Sequence, residues 1–187
     1  GIRPSTSGNY INKSSLTHNP ILNNSVLLPE FFQRNGYYVC GAGKLFHGAQ
    51  NAKYLPNWAG GFGGFGPFPK TKISPFPGMK LWDWGVFPES DDLMPDYKIA
   101  AWGVEQLAKD YDQPLFLATG FYTPHVPQYA PQKWFDLYPM ETLQLPKMLE
   151  NDLEDISEYG FNLTRLKHVA PTMEWVGAND QLKPLVQ

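Results

Sequence analysis

A lysine and a histidine stand three residues apart in Gly43-Lys44-Leu45-Phe46-His47, and another histidine is held between prolines in Thr123-Pro124-His125-Val126-Pro127. Side chains of these types suit an anionic substrate. A cation and an imidazole leaving a strand together are compatible with several anions. Each group follows an apolar run: Tyr37-Tyr38-Val39-Cys40 leads to the first, and Leu115-Phe116-Leu117-Ala118 to the second. Such runs read as buried strands, and in an open α/β sheet ligands lie beyond the carboxyl ends of strands. The reading requires these two exits to meet. Taken singly, each residue also has a plainer role, as a surface lysine or a packed histidine.

Other chemistry-bearing residues are weaker. Asp83 in Trp82-Asp83-Trp84-Gly85 could touch a sugar hydroxyl beside two aromatic faces, or serve a turn. Asp91 and Asp92 are adjacent carboxylates that could meet a cation, although adjacency alone defines no site. His18 and His168 lie in polar loops without a supporting pattern. Asn12-Lys13-Ser14, Asn23-Asn24-Ser25 and Asn162-Leu163-Thr164 are glycosylation sequons, meaningful only in a eukaryotic secretory setting. Cys40 alone allows no internal disulfide and no multi-cysteine metal site, and its strand position suggests an inert buried thiol.

Two nucleotide motifs fail on context. Gly43-Lys44 follows a strand as a phosphate loop would, but Tyr38 stands where that loop needs Gly and Leu45 where it needs Ser or Thr. Gly61-Phe62-Gly63-Gly64-Phe65-Gly66 matches the dinucleotide spacing, yet no strand leads in, and Pro67 and Pro69 prevent a helix leading out.

The positioning elements follow from pattern. Residues 1–24 are polar and read as a covering loop. Ser25 caps a short helix with Pro29 in its first turn and Leu28, Phe31 and Phe32 on one face, stopped by Gly36. Residues 48–95 form a long excursion rich in Gly, Pro and aromatics. Asp96 caps the next helix, whose Ala100, Val104, Leu107 and Ala108 fall on one buried face. The strand at 115–118 should be covered on both sides. Residues 126–175 are punctuated by proline, with a short helix near Gln132 to Leu137; 150–158 is a solvated acidic surface, and 179–187 opens another helix.

At 187 residues, 42% hydrophobic and 18% charged, the chain has the composition of a single globular domain, and its order of helix, strand, helix, strand favours the α/β class. A net charge of -3 offers no basic face for nucleic acid and no polybasic signal for a membrane. Aromatics at 15%, with 17 Gly and 18 Pro, imply ordered loops that could build a binding surface.

Read in order, six segments resemble the sulfatase family and its iduronate-2-sulfatase-like branch. They are Arg3-Pro4-Ser5-Thr6; Leu28-Pro29-Glu30-Phe31-Phe32 with Asn35-Gly36-Tyr37; Gly43-Lys44-Leu45-Phe46-His47; Trp82-Asp83-Trp84-Gly85; Gly120-Phe121-Tyr122-Thr123-Pro124-His125-Val126-Pro127; and Trp134-Phe135-Asp136-Leu137-Tyr138-Pro139. The Lys-x-x-His spacing is the branch-level feature.

The resemblance implies part of an alkaline-phosphatase-like α/β/α sandwich with a mostly parallel sheet, and hydrolysis of a sulfate ester on carbohydrate. It implies that Lys44 binds sulfate oxygens, that His47 hydrogen-bonds a formylglycine nucleophile, and that His125 contacts sulfate and assists the leaving oxygen. The family's Cys-x-Pro-Ser-Arg segment would lie just before Gly1. Its acidic pair and later Asp-His or Asp-Asn segment, which hold Ca2+ or another divalent metal, are absent from these residues, so no metal is expected on this chain. The chain thus looks like an internal piece of a sulfatase, inactive alone, with uncovered sheet edges that favour self-association. A periplasmic, extracellular or lysosomal location is implied. Two other readings stand beside it: a phosphatase or phosphodiesterase of the same superfamily, and a non-enzymatic carbohydrate-binding protein using the Trp-rich loops.

Overall fold

A computed structural model describes residues 1–10, 16, 18–47, 54–147, 149, 151–165 and 170–187. The Asn12 sequon and His168 lie outside the described residues. In chain order the elements are helices α1 (Pro4–Ser7), α2 (Pro20–Asn23) and α3 (Leu28–Arg34), strands β1 (Tyr38–Gly43), β2 (Asn57–Trp58) and β3 (Trp84–Val86), and helix α4 (Pro95–Leu107). Strands β4 (Leu115–Gly120) and β5 (Gln128–Ala130) follow, then helices α5 (Gln132–Phe135), α6 (Glu158–Leu163), α7 (Met173–Ala178) and α8 (Leu182–Val186). The class is α/β, and every strand pairing among the described residues is parallel. Contacts gather the chain into two compact units: Gly1–Phe62 with Ile99–Phe121, and Gly63–Lys98 with Tyr122–Gln187.

The first unit is built on β1, which lies between β2 and β4. Its β-branched and small residues suit a strand with neighbours on both edges, and Val39, Cys40 and Ala42 are buried. The pairing with β4 runs in register from Tyr38 opposite Leu115 to Gly43 opposite Gly120, so both strands end together. At that end the backbones approach too closely for side chains. A Cβ on Gly43, whose φ is +77°, would lie 2.0 Å from the Gly120 carbonyl oxygen. One on Gly120 would lie 2.1 Å from the Lys44 carbonyl oxygen.

Helix α3 packs on β4 through Phe32, whose ring stacks on Phe116 at 4.5 Å. The strand itself, expected to be covered on both sides, is only half-buried, and its far edge has no strand partner among the described residues. Helix α3 begins after Leu27 rather than after a Ser25 cap; the Leu27 amide donates to Glu30, while the Ser25 hydroxyl donates to Ile21. Leu28 and Phe31, expected inward, are exposed. Residues 1–24, expected to be loop, include α1 and α2, each started by a proline at its first position.

The buried face of α4 is also one residue away from the expected one. Ile99 is fully buried and Gly103 and Gln106 are buried with it, whereas Val104 and Leu107 are 66% and 67% exposed. By residue type the apolar i, i+4, i+7 template selects Ala100-Val104-Leu107, because the face of Ile99 and Gly103 carries the polar Gln106. Close approach decides otherwise: a Cβ on Gly103 would meet Thr119 at 3.1 Å, and Ile99 fills the space that a side chain at Gly43 would need. Burial of an isoleucine of this kind is worth about 2 kcal/mol.

In the second unit β3 and β5 form a two-stranded parallel sheet, with Gly85 opposite Tyr129. Phe76, Trp84 and Trp175 cluster beside it, with Phe76 and Trp175 edge to face at 5.1 Å. These rings pin the aromatic excursion to the later helices. Strand β2 ends at Trp58, with only Ala59 and Gly60 before Gly61, against the expectation that no strand leads in, but no helix follows residues 61–66, and the dinucleotide loop needs one there. Helix α5 appears at Gln132–Phe135, and 151–158 is exposed throughout.

The glycine contact gives a direct test. Gly120→Ala and Gly43→Ala each place a methyl against fixed backbone and should destabilise the chain by about 3 kcal/mol. Gly177→Ala, in α7 with nothing within 4 Å of its new methyl, should instead stabilise by about 0.5 kcal/mol. Urea unfolding followed by tryptophan fluorescence distinguishes the two; equal midpoints for all three variants contradict the close approach.

Candidate functional site

In the first unit, the segment after β1 is held by backbone on both sides. The Lys44 amide donates to the Gly120 carbonyl at 2.8 Å, the Gly43 amide donates to Gly60 at 2.9 Å, and the Ala59 amide donates to Gly41 at 2.9 Å. Leu45 packs against Gly41 and Gly120, where a Cβ would meet its methyls at 2.8 and 3.0 Å. Lys44 is half-buried and His47 exposed, and between them the Phe46 ring contacts Tyr54 at 5.4 Å. The ends of β1 and β4 lie side by side within this unit, and Lys44 begins where both strands stop. The inert reading of Cys40 also agrees with its surroundings: it is 1% exposed, and burial pushes its thiol up despite the opposing influence of Lys109. His18 is exposed in the same unit.

His125 lies in the second unit and is exposed, but it is not loosely held. Its amide donates to the Tyr122 carbonyl at 3.0 Å, closing a turn, and its Nδ1 lies 2.7 Å from the Val126 carbonyl oxygen. A carbonyl can only accept, so in this contact Nδ1 carries the proton and Nε2 is the unprotonated nitrogen of the neutral ring. The imidazole leans on the Phe65 ring at 4.5 Å, and Phe65 meets Tyr122 edge to face at 5.0 Å. Phe65 comes from the glycine-rich stretch that failed as a nucleotide motif. An aromatic flanked by glycines was the available signal for it.

Asp83 proves to be a structural carboxylate. It is fully buried and accepts from the Ile73 amide at 2.9 Å, the Ser74 amide at 2.7 Å and the Tyr129 hydroxyl, while its own carbonyl accepts from Gln128 at 2.8 Å. These bonds join the 73–74 loop to both strands of the small sheet. Burial alone would raise the Asp83 carboxyl, but hydrogen bonds from Tyr129, Ser74 and Ile73 outweigh it and hold the group below the usual range. Burial and the same carboxylate push the Tyr129 phenol well above its ordinary value.

Asp96, expected as a cap, instead sits inside the first turn of α4 and accepts from the Tyr122 amide at 2.8 Å, the Thr123 amide at 2.9 Å and the Thr123 hydroxyl. Burial, followed by this carboxylate, raises the Tyr122 phenol. Asp91 is committed to Lys133 and to the Trp134 indole N–H, which hold its carboxyl low. Among the described residues no group of three or more His, Cys, Asp and Glu is gathered as a cation ligand set.

No protein-family model matches the chain. Among curated proteins it is similar to a sulfatase of Formosa agariphila, at 41% identity across the whole of this chain and 40% of that protein. It is also similar to the iduronate 2-sulfatase of Homo sapiens, at 26% identity over 63% of this chain and 24% of that protein. The iduronate 2-sulfatase of Mus musculus is 28% identical over the same shares. The chain thus spans about 40% of the length of the first relative and about 24% of the other two.

The buried network of Asp83 predicts a pH dependence. Its carboxylate lies below its unfolded value of about 4, so its contribution is complete above that pH and is lost as pH falls through the lower folded value. The Tyr129 phenol is raised, so its contribution is complete below about pH 10 and is lost as pH rises beyond. Tyr129→Phe should cost about 1–3 kcal/mol near neutrality. Asp83→Asn should cost at least as much and flatten the acid limb. Melting temperatures recorded from pH 2 to 7 check this; an unchanged acid limb in Asp83→Asn contradicts it.

Proposed function

This chain belongs to the sulfatase family, and we propose that its Lys44, His47 and His125 supply the cationic and imidazole contacts for hydrolysis of a sulfate ester on a carbohydrate. Its mixed α/β architecture with parallel pairing is that of part of an alkaline-phosphatase-like sulfatase fold. The observation that most supports the reading is the common ending of β1 and β4 at Gly43 and Gly120. From one ending the chain runs into Lys44 and His47, and from the other into the loop that bears His125.

The chemistry asked of each residue is modest and specific. As the S–O bond of a sulfate monoester breaks, negative charge gathers on the bridging oxygen and persists on the non-bridging ones. The Lys44 ammonium stabilises the non-bridging charge. His125, whose Nδ1 bonds the Val126 carbonyl, keeps Nε2 for the substrate, and in its doubly protonated form gives the Nε2 proton to the departing oxygen. His47 orients an attacking group by hydrogen bonding. Asp83 is left out of the substrate contacts, because its oxygens are occupied by Ile73, Ser74 and Tyr129.

A formylglycine nucleophile and a divalent metal such as calcium, both implied by the family, require residues other than those described. The 187 residues by themselves should be inactive, and the complete protein should act in a periplasmic, extracellular or lysosomal setting. No helix among the described residues is long and apolar enough to cross a membrane. The open edge of β4 and the exposed Val104 and Leu107 further favour self-association of the isolated chain.

Titration of the isolated chain with inorganic sulfate, followed by NMR, tests the anion site separately from turnover. Lys44→Ala should weaken binding about tenfold, as loss of one charge-assisted contact does. Binding that survives combined replacement of Lys44, His47 and His125 by alanine would sink the reading. An aryl sulfate should not be turned over; turnover abolished by Lys44→Ala would overturn the inactivity. Sedimentation velocity should show association rising with concentration, and a monomer throughout excludes the open edge as a contact.

A further inference from the structure

Asp96 does something that neither its helix nor the proposed chemistry requires. A carboxylate in the first turn of a helix ordinarily complements the helix dipole or accepts from its own first amides. Here both oxygens go to another segment: Oδ1 accepts from the Tyr122 amide at 2.8 Å, and Oδ2 accepts from the Thr123 amide at 2.9 Å and from the Thr123 hydroxyl. Three donors from two consecutive residues thus converge on a partner 26 and 27 positions away in sequence.

The gripped residues lead directly to His125. The Tyr122 carbonyl accepts from the His125 amide at 3.0 Å, so the segment held by Asp96 closes the turn bearing the imidazole. Tyr122 also braces the Phe65 ring on which that imidazole leans, with ring separations of 5.0 Å and 4.5 Å. Nδ1 bonds Val126 beyond the turn at 2.7 Å. Backbone of this sort has no ladder hydrogen bonds to fix it, and a side-chain carboxylate can replace them.

We propose that Asp96 is a positioning residue for His125. By fixing Tyr122 and Thr123 it sets the turn, the Phe65 platform and the Nδ1–Val126 contact, so that Nε2 is the nitrogen offered to an anion. It touches neither substrate nor reacting atoms. The importance of the positioning rests on the sulfate-site reading of His125; the positioning itself does not.

The test uses the full 187-residue chain with 15N-labelled histidine, reading the His125 tautomer by long-range 1H–15N NMR and adding inorganic sulfate as the probe. The wild type should show a proton fixed on Nδ1, with Nε2 responding to sulfate. Asp96→Asn keeps one acceptor and turns a donor toward the Tyr122 and Thr123 donors, so it should give mixed tautomers and at least about fivefold weaker sulfate binding. Thr123→Val, which removes only the hydroxyl donor, should move in the same direction. Thr123→Ser should retain wild-type behaviour. If Asp96→Asn does not fold, the Thr123 pair decides. A wild-type tautomer and sulfate response in folded Asp96→Asn, or no difference between Thr123→Val and Thr123→Ser when Asp96→Asn is unfolded, overturns the proposal. If the tautomer follows Asp96 but sulfate never perturbs His125, the positioning is supported and the sulfate-site reading fails.

Discussion

At the ends of β1 and β4 the backbone of Gly43 lies so near the Gly120 carbonyl that a side chain at either glycine would overlap main-chain oxygen. This contact sets the geometry of the first unit. It lets the two strands stay in register to their last residues, brings the Lys44 amide onto Gly120, and seats Ile99 of α4 over the junction. The residue after β1 is therefore placed by main-chain atoms, which have far less freedom than a loop held by its own side chains.

The second unit solves a different problem. Its two short parallel strands form too small a sheet to be stable by pairing alone, and the loops around them are rich in glycine and proline. Two carboxylates supply what the ladder does not. Asp83 joins the 73–74 loop to Tyr129, and Asp96 joins the first turn of α4 to the segment before His125. Each accepts two backbone amides and a hydroxyl. Charged acceptors make strong hydrogen bonds, and each leaves few backbone donors unpaired.

Some elements are legible in the chain's local pattern and others are not. The strands at 38–43 and 115–120 belong to the first kind, because an apolar run of four residues is too short for a helix and suits a strand, although the second proves only half-buried. The helix at 95–107 is legible too, but not its inward face, since the apolar period selects Ala100-Val104-Leu107 while the buried face of Ile99 and Gly103 carries the polar Gln106. Helix α3 falls within a few residues of its expected start, and Ser25 fails as its cap because that hydroxyl bonds within the preceding turn. Local preference assigns Asp83 to a turn and Asp96 to a cap. Their actual partners lie 9 to 46 and 26 to 27 residues away, beyond any local rule.

What the sequence determined by itself is the order of motifs, and with it the sulfatase family, the α/β class and the strands from which Lys44, His47 and His125 emerge. Those follow from residue types at short spacing, where chain connectivity does the placing. Tertiary structure alone decided that β1 and β4 end together, which face of α4 is inward, that the Asp83 oxygens belong to the protein, and that Asp96 and Phe65 hold the His125 turn. Each of those outcomes depends on which distant backbone groups need a partner once the chain is folded. That need arises from three-dimensional proximity and leaves no periodic trace in the sequence.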